Sequence, residues 1–373
     1  MPNSVNRRDW LKQNSLAALA FGFTLPSMAN EEGFLRNFGA DKGLINLGSN
    51  ENPYGISPKA REAIISMLSQ ANRYQFNVSS LQDFKKELAG HYHVGSDQLL
   101  VTAGSGDALN MLARHFSKGN LVTATPTFGI LPNTAKKIGT KVVEIPLTSE
   151  KVHDLPAILR AIDPETQLVY ICNPANPSTT IVPVDALRNF CTEASKKAVV
   201  VIDEAYIDFL NPPDNESMIG LIDKNPNIIV VRTFSKIHAM AGLRIGFLVA
   251  HPTVIKSLEQ NYFSNSQITV SNLTMAAALA SLQDKEHYTT CKEKNAVARD
   301  YTFRALKERD IAVIPSYTNF LFFPLGKYSG DFATDMLQKN VILRSMNYPD
   351  GKWARVSIGT LDEMKQFIGL LKV

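Results

Sequence analysis

Thr233-Phe234-Ser235-Lys236 sets a lysine just beyond an apolar, β-branched run, behind two hydroxyl residues. Arg244 follows eight residues later, after Ala241-Gly242-Leu243. A lysine amine can form a Schiff base with an aldehyde. Hydroxyls and an arginine are the donors that a phosphate dianion needs. Alone, the cluster equally describes a surface lysine with an unrelated arginine. Asp203 ends another apolar run, in Ile202-Asp203-Glu204-Ala205-Tyr206. A buried carboxylate needs a cationic partner, and a protonated pyridine nitrogen would serve and make its ring an electron sink. Tyr206 could reach the same ligand with its hydroxyl, although an aspartate here could also be a plain helix cap. In Asn173-Pro174-Ala175-Asn176-Pro177 the prolines hold the asparagines in a turn, from which Asn176 can donate to a phenolate oxygen. Gly104-Ser105-Gly106-Asp107 lies between a strand pattern and a helix pattern. Backbone N–H groups at such a helix start bind anions, and an ordinary turn looks the same in sequence. Phe128, in Thr125-Pro126-Thr127-Phe128, offers a face on which a flat ring could stack.

These residues need elements to bring them together. Continuous apolar runs at 99–101, 168–172, 198–202, 228–231 and 245–249 read as strands buried on both faces. Helical patterns at 108–116 and 184–196 lie between them, which predicts βαβ units and a mainly parallel sheet. In open α/β sheets the ligand crevice lies beyond the carboxyl ends of the strands. Asp203, Asn173, Asn176, Ser105 and Gly106 should therefore converge despite their separation in sequence. Further on, helical patterns at 273–282 and 292–309 precede strand-like runs at 311–314, 319–323 and 354–358. That texture predicts a second, α+β domain. Residues 30–70 look too short to fold alone and should pack against this domain or a neighbouring subunit. There is no internal repeat and no low-complexity linker.

The 373 residues, 45% hydrophobic and 20% charged, have ordinary globular proportions, which excludes a disordered chain, a coiled coil and a collagen. The net charge is only +4 and no basic block runs through the body, so a nucleic-acid or membrane-surface role is not expected. Cys172, Cys191 and Cys291 are too few and too scattered for a disulfide framework or a four-thiolate zinc site. The first 29 residues differ from the rest. Asn6-Arg7-Arg8-Asp9-Trp10-Leu11-Lys12 precedes an apolar run at 16–25, and Ser27-Met28-Ala29 places small residues as at a cleavage site. This order predicts a signal peptide handled by the twin-arginine export machinery, and an enzyme that is periplasmic or otherwise exported by that route. An amphipathic first helix of the folded protein is the alternative. No later stretch approaches about 18 apolar residues, so no stable membrane anchor is expected.

Together the motifs resemble the fold-type I, class I/II aminotransferases that depend on pyridoxal 5′-phosphate (PLP), above all the histidinol-phosphate aminotransferase branch. The likeness runs over roughly residues 45–365. Asn50-Glu51-Asn52-Pro53-Tyr54-Gly55 is similar to that branch's N-terminal signature. The resemblance implies an α/β fold with a mainly parallel seven-stranded sheet. It implies a large PLP-binding domain over 73–265, a small α+β domain over 266–373, and an N-terminal segment over 30–72. It implies that Lys236 holds PLP and moves the α-proton, that Asp203 pairs with the pyridine nitrogen, and that Asn176 and Tyr206 bond the phenolic oxygen. Ser105, Gly106, Ser235 and Arg244 would bind the phosphate, with Thr233 assisting and Asp107 in the same loop. Phe128 would stack on the ring. Tyr74 would reach the phosphate of the partner subunit's PLP in a homodimer. Arg355 would grip the substrate carboxylate and Arg344 its distal group, with Asn52 and Tyr54 also at the substrate. The chain departs from the family at Gln75, where proline is common, and at Gly106-Asp107-Ala108, where the loop often ends in Asp-Glu. The implied reaction is ping-pong amino transfer between an amino acid (histidinol phosphate-like, aromatic or acidic) and a 2-oxo acid such as 2-oxoglutarate. A PLP-dependent lyase or decarboxylase on the same fold is the alternative. A non-catalytic regulator would lack the lysine or carry a DNA-binding extension, and this chain does neither.

Overall fold

The computed structural model describes residues 43–73, 78–263 and 270–371. The leader expected over 1–29 and the tyrosine at position 74 lie outside the described residues. Twelve strands are described in chain order: β1 (Ile45–Asn46), β2 (Leu99–Thr102), β3 (Asn120–Thr125), β4 (Val142–Pro146), β5 (Thr166–Cys172), β6 (Val199–Asp203), β7 (Ile228–Thr233), β8 (Gly246–Val249), β9 (Phe320–Pro324), β10 (Val341–Ile342), β11 (Arg344–Tyr348) and β12 (Gly351–Ser357). Seven form one sheet in the order β2-β8-β7-β6-β5-β3-β4. Strand β8 runs antiparallel to both of its neighbours, while β3 to β7 pair in parallel. This is the mainly parallel α/β sheet that the apolar runs predict.

The runs are continuous because both faces of the sheet are covered. Successive side chains alternate between faces. Val200, Ile202 and Val230 pack with Phe84, Leu187 and Phe190 on one side. Val201, Val231 and Tyr170 pack with Leu109, Leu131 and Leu258 on the other. Helix Ser105–His115 follows Gly104, whose φ of +88° suits glycine. Helix Val184–Ala194 crosses from β5 to β6 and buries Leu187, Phe190, Cys191 and Ala194.

The C-terminal residues form an antiparallel sheet, β11-β12-β9. Its core joins Leu321, Phe323 and Val356 to Leu306 of helix Lys285–Lys307 and Phe367 of helix Leu361–Leu370. Strand β1 pairs in parallel with β10, and the Ser357 N–H donates to Leu47 O at 2.8 Å. Residues 45–47 are thereby fixed to the C-terminal sheet, and Ile45–Val373 clusters as one compact unit.

Residues 311–314 correct a prediction. They are not a strand, because Val313 N–H turns back to Ile311 O and Ile314 N–H alone reaches Phe322 O, so no ladder forms. Strands β1, β3, β4, β10 and β11 are additional to those predicted. Among the described residues, no helix is long and apolar enough to cross a membrane, and no cluster of ligands could hold a metal ion.

Candidate active site

The polar residues beyond the parallel strands meet at one place, as the crevice rule requires. A cavity of about 470 Å³ lies there. Ser105 and Gly106 enter it from the turn after β2, and Phe128 from beyond β3. Asn176 comes from beyond β5, Asp203 and Tyr206 from the end of β6, and Ser235, Lys236 and Arg244 from the segment after β7. Arg344 and Arg355 close it from the C-terminal sheet, where they are direct partners in the β11–β12 register.

Asp203 is 1% exposed. Its Oδ2 accepts from Tyr170 Oη at 3.0 Å and its Oδ1 from the Ala205 N–H at 3.1 Å. Burial pushes this carboxyl up to about 6, against the pull of Tyr170, the Ala205 N–H and Lys236, while Glu204 adds to the rise. The next residue, Glu204, belongs to a separate buried ion pair with Arg232 at 2.8 Å. No cationic side chain forms an ion pair with Asp203 among the described residues, so a buried carboxylate is left for an external cation.

Lys236 Nζ donates to Asn50 O at 3.1 Å and Ser49 O at 3.4 Å. Burial and the Arg355 charge hold its amine down to about 8, with Arg244 adding to the fall and Glu51 and Asp203 opposing it. The Tyr206 hydroxyl accepts from Asn50 Nδ2 at 3.0 Å and Asn176 Nδ2 at 3.1 Å. Arg355 donates from Nη1 to Asn176 Oδ1 at 2.9 Å and from Nη2 to Gly48 O at 2.8 Å, and its buried Nε has no partner.

Backbone shape completes one wall. A Cβ on Gly104 would come within 2.5 Å of Arg244 Nη2, and one on Gly246 within 2.5 Å of Ser105 N. Both glycines let Arg244 and the helix N-terminus close on the same space. Arg244 itself holds a φ of +55°, unusual for a side chain of its kind. Thr233 lies beneath the wall, its Oγ1 donating to Ser235 Oγ at 2.9 Å and accepting from the Ser235 N–H at 3.1 Å.

Four expected site residues do not line the cavity: Thr233, which lies behind Ser235, and Asp107, Asn52 and Tyr54. Asp107 is exposed, and its carboxylate accepts from the Ala103 N–H at 3.4 Å, within its own loop. Asn52 donates to Ile237 O at 2.8 Å and accepts from the Tyr54 N–H, and the Tyr54 ring lies 5.2 Å from Lys294 Nζ. From that N-terminal signature it is Asn50 and Glu51 that reach the cavity, with Ser49 just before it. Asn50, with a φ of +54°, also locks to Ser357 Oγ through its N–H at 2.7 Å. The Asn-rich signature marked the segment, but only a fold could say which asparagine faces in. A second cavity of about 430 Å³ shares Phe128, Asn176, Arg344 and Arg355 and adds Leu343, Met346 and Tyr348.

A buried carboxylate lacking a cation, a lysine of lowered basicity and a cradle of backbone, hydroxyls and arginine together fit a phosphorylated pyridine aldehyde. Comparison with known proteins agrees. The family model for aminotransferase class I and II matches residues 42–371. The chain belongs to that family. This aminotransferase is 35% identical over 342 residues to the histidinol-phosphate aminotransferase of Brevibacillus brevis, covering 90% of this chain and 92% of the relative. It is 32% identical to that of Bacillus subtilis, covering 90% and 92%. A crystal structure of a histidinol-phosphate aminotransferase from Sinorhizobium meliloti in complex with pyridoxal 5′-phosphate superposes with a TM-score of 0.81 at 25% identity, covering 92% of this chain and 93% of that one. The cofactor of this aminotransferase is PLP. The kinship corrects one expectation. Its relatives are named as histidinol-phosphate aminotransferases, a kinship that gives the periplasmic location read from residues 1–29 no support, and that location does not stand.

Proposed function

We propose that this aminotransferase takes its amino group from a donor bearing an anionic group, of the histidinol phosphate or acidic amino acid type, and passes it to a 2-oxo acid such as 2-oxoglutarate. The observation that carries the reading is the pairing of Arg344 with Arg355 at the cavity. With Lys236 and Arg244 also there, against Asp203 and Glu51, the lining carries excess positive charge. Arginine forks of this kind bind carboxylate or phosphate in two-point fashion. The apolar and aromatic residues Phe128, Leu343 and Tyr348 give room for a ring beside the anion.

Bound here, PLP supplies an aldehyde to receive the amino group and a ring to spread negative charge. Lys236 holds it through Nζ and, once released, moves the donor's α-proton. An amine held to about 8 is a working base near neutral pH. Asp203 accepts the pyridine N–H and stabilises its charge. Tyr206 accepts two N–H bonds already, which leaves its own proton for the phenolic oxygen, beside Asn176. Ser105, Gly106, Ser235 and Arg244 receive the phosphate, with Thr233 bracing Ser235. Arg355, which lines the cavity, brings its guanidinium to the substrate's carboxylate or phosphate. The same reading makes the working unit a homodimer in which Tyr74 serves the partner's phosphate site.

The test is a donor panel on the PLP-loaded enzyme with 2-oxoglutarate as acceptor: histidinol phosphate, glutamate, aspartate, phenylalanine and leucine. The expected result is kcat/KM highest for an anionic or phosphorylated donor and falling at least tenfold for leucine. Equal rates on leucine, or release of CO2 or ammonia without an acceptor, would overturn it.

A further inference from the structure

Tyr170 is wholly buried on β5, two residues before Cys172, the register partner of Asp203 on β6. In parallel strands such positions share a face, so the phenol of Tyr170 passes beneath Cys172 to the Asp203 carboxylate. Leu109, Leu131 and Leu258 belong to the same packed cluster as its ring, and Thr123 Oγ1 holds its carbonyl at 2.8 Å. The hydroxyl donates to Asp203 Oδ2 at 3.0 Å, opposite the Ala205 N–H on Oδ1. Among the described residues these are the two donors to the carboxylate, and in a buried site each is felt strongly.

We propose that Tyr170 is a positioning residue: its donated hydroxyl keeps the Asp203 carboxylate ionised and turned to receive the cofactor's ring nitrogen. This rests on the reading that Asp203 pairs with that nitrogen. No other side chain around the carboxylate is both free and favourable to its ionisation. Lys236 favours the ionised form but is committed to the aldehyde. Glu204 opposes it and is itself neutralised by Arg232. The Cys172 thiol, pushed far up by burial and by Asp203, adds no charge. Burial likewise holds the Tyr170 phenol protonated, so it donates at any working pH. The Ala205 N–H is backbone and constant. Tyr170 is thus the side chain through which this fold sets the ionisation of Asp203.

The sign follows from the starting point near 6. Losing one donor raises the carboxyl further, by about one unit, or about tenfold in the ionisation equilibrium. Tyr170→Phe should then bind PLP about fivefold more weakly at pH 6 and within about twofold of wild type at pH 8.5. The experiment measures dissociation constants of the apoenzyme at both pH values. The probes are PLP and its carbocyclic analogue, with C–H in place of the ring nitrogen. The analogue cancels the contributions of phosphate, Lys236 and folding. The expected result is a weakened PLP but unchanged analogue for Tyr170→Phe, and loss of all preference for PLP over the analogue for Asp203→Asn. If Asp203→Asn loses the preference while Tyr170→Phe keeps the wild-type ratio at pH 6, the role of Tyr170 is wrong. If Asp203→Asn keeps the preference, the pairing of Asp203 with the nitrogen is wrong instead. Should Tyr170→Phe bind neither probe, 3-fluorotyrosine at position 170 carries the test. As a stronger donor it should raise the preference for PLP at pH 6, and an unchanged ratio would refute the proposal.

Discussion

Gly246 is the position at which a single methyl group should damage cofactor binding most selectively. It begins β8 and lies against the turn that opens helix Ser105–His115. A Cβ there would meet Ser105 N at 2.5 Å, Gly104 C at 2.8 Å and Arg232 O at 2.9 Å, all of them backbone atoms that cannot rotate aside. Ordinary contact begins at 3.4 Å, so in Gly246→Ala the start of the helix must retreat by about 0.9 Å, an overpacking strain of about 1–3 kcal/mol. The displaced N–H groups are those proposed to receive the phosphate. Misplacing one bond to a charged group costs about 1.5–3 kcal/mol, or roughly tenfold to hundredfold in affinity. The assay titrates apo Gly246→Ala and wild type with PLP and with pyridoxal, which lacks the phosphate, alongside thermal melts. The account predicts a dissociation constant for PLP raised about tenfold to hundredfold, with pyridoxal changed much less. An unchanged PLP affinity, or equal losses for both ligands, would refute the idea that this backbone cradles the phosphate.

Glu204→Gln should cost about 3–5 kcal/mol in urea unfolding, because it strands the buried Arg232 guanidinium; a loss below about 1 kcal/mol would contradict this. Lys236 is held near 8 when folded against 10.5 for its ordinary value. The unfolded chain therefore binds more protons between those values, and apoenzyme stability should rise as pH climbs through them. Lys236→Met should stabilise the apoenzyme at pH 7 by roughly 3 kcal/mol, an advantage that shrinks toward pH 10.5 and that urea melts at both pH values would register. Arg355→Lys replaces a two-point fork by a point charge, so KM for an anionic donor should rise at least tenfold with a smaller change in kcat, and a rise confined to kcat would exclude this role. Asn50→Ala removes one of the two N–H donors to the Tyr206 hydroxyl and should shift the visible absorbance of bound PLP; an unaltered spectrum would mean that this bond does not reach the cofactor.

The central strands were legible because burial on both faces leaves nothing but apolar residues. Residues 228–231 are all wholly buried, and the run in the sequence is the strand in the fold. Strand β3 was hidden by its polar content, since Asn120 and Thr123 find their partners far away in sequence, Asn120 Nδ2 on Asp163 Oδ1 and Thr123 Oγ1 on the Tyr170 carbonyl. Strand β4 is only half buried, at the sheet edge, and reads as a mixed segment. At the site, residues at or just after strand ends were identifiable because strand ends converge. Asp203, Ser235 and Lys236 are examples. Residues that act from the opposite end of the chain were not. Asn50 reaches Tyr206 across 156 positions, and its neighbours Asn52 and Tyr54 were as plausible by type. Tyr170 reads as one more apolar residue of a strand, and only the β5–β6 register shows its hydroxyl meeting a carboxylate. Gly246 and Gly104 differ in the same way. Gly104 sits in a visible glycine-rich turn, while Gly246 acts by what approaches it from another element.

Lys236 is the residue proposed to hold PLP in this cavity. Borohydride reduction of the PLP-loaded enzyme, followed by peptide mapping by mass spectrometry, tests that directly. The prediction is a phosphopyridoxyl mass on the peptide containing Lys236, absent when an amino donor first converts the cofactor to its amine form, and absent from Lys236→Ala. A label on another lysine, or a wild-type yield of label in Lys236→Ala, would contradict it.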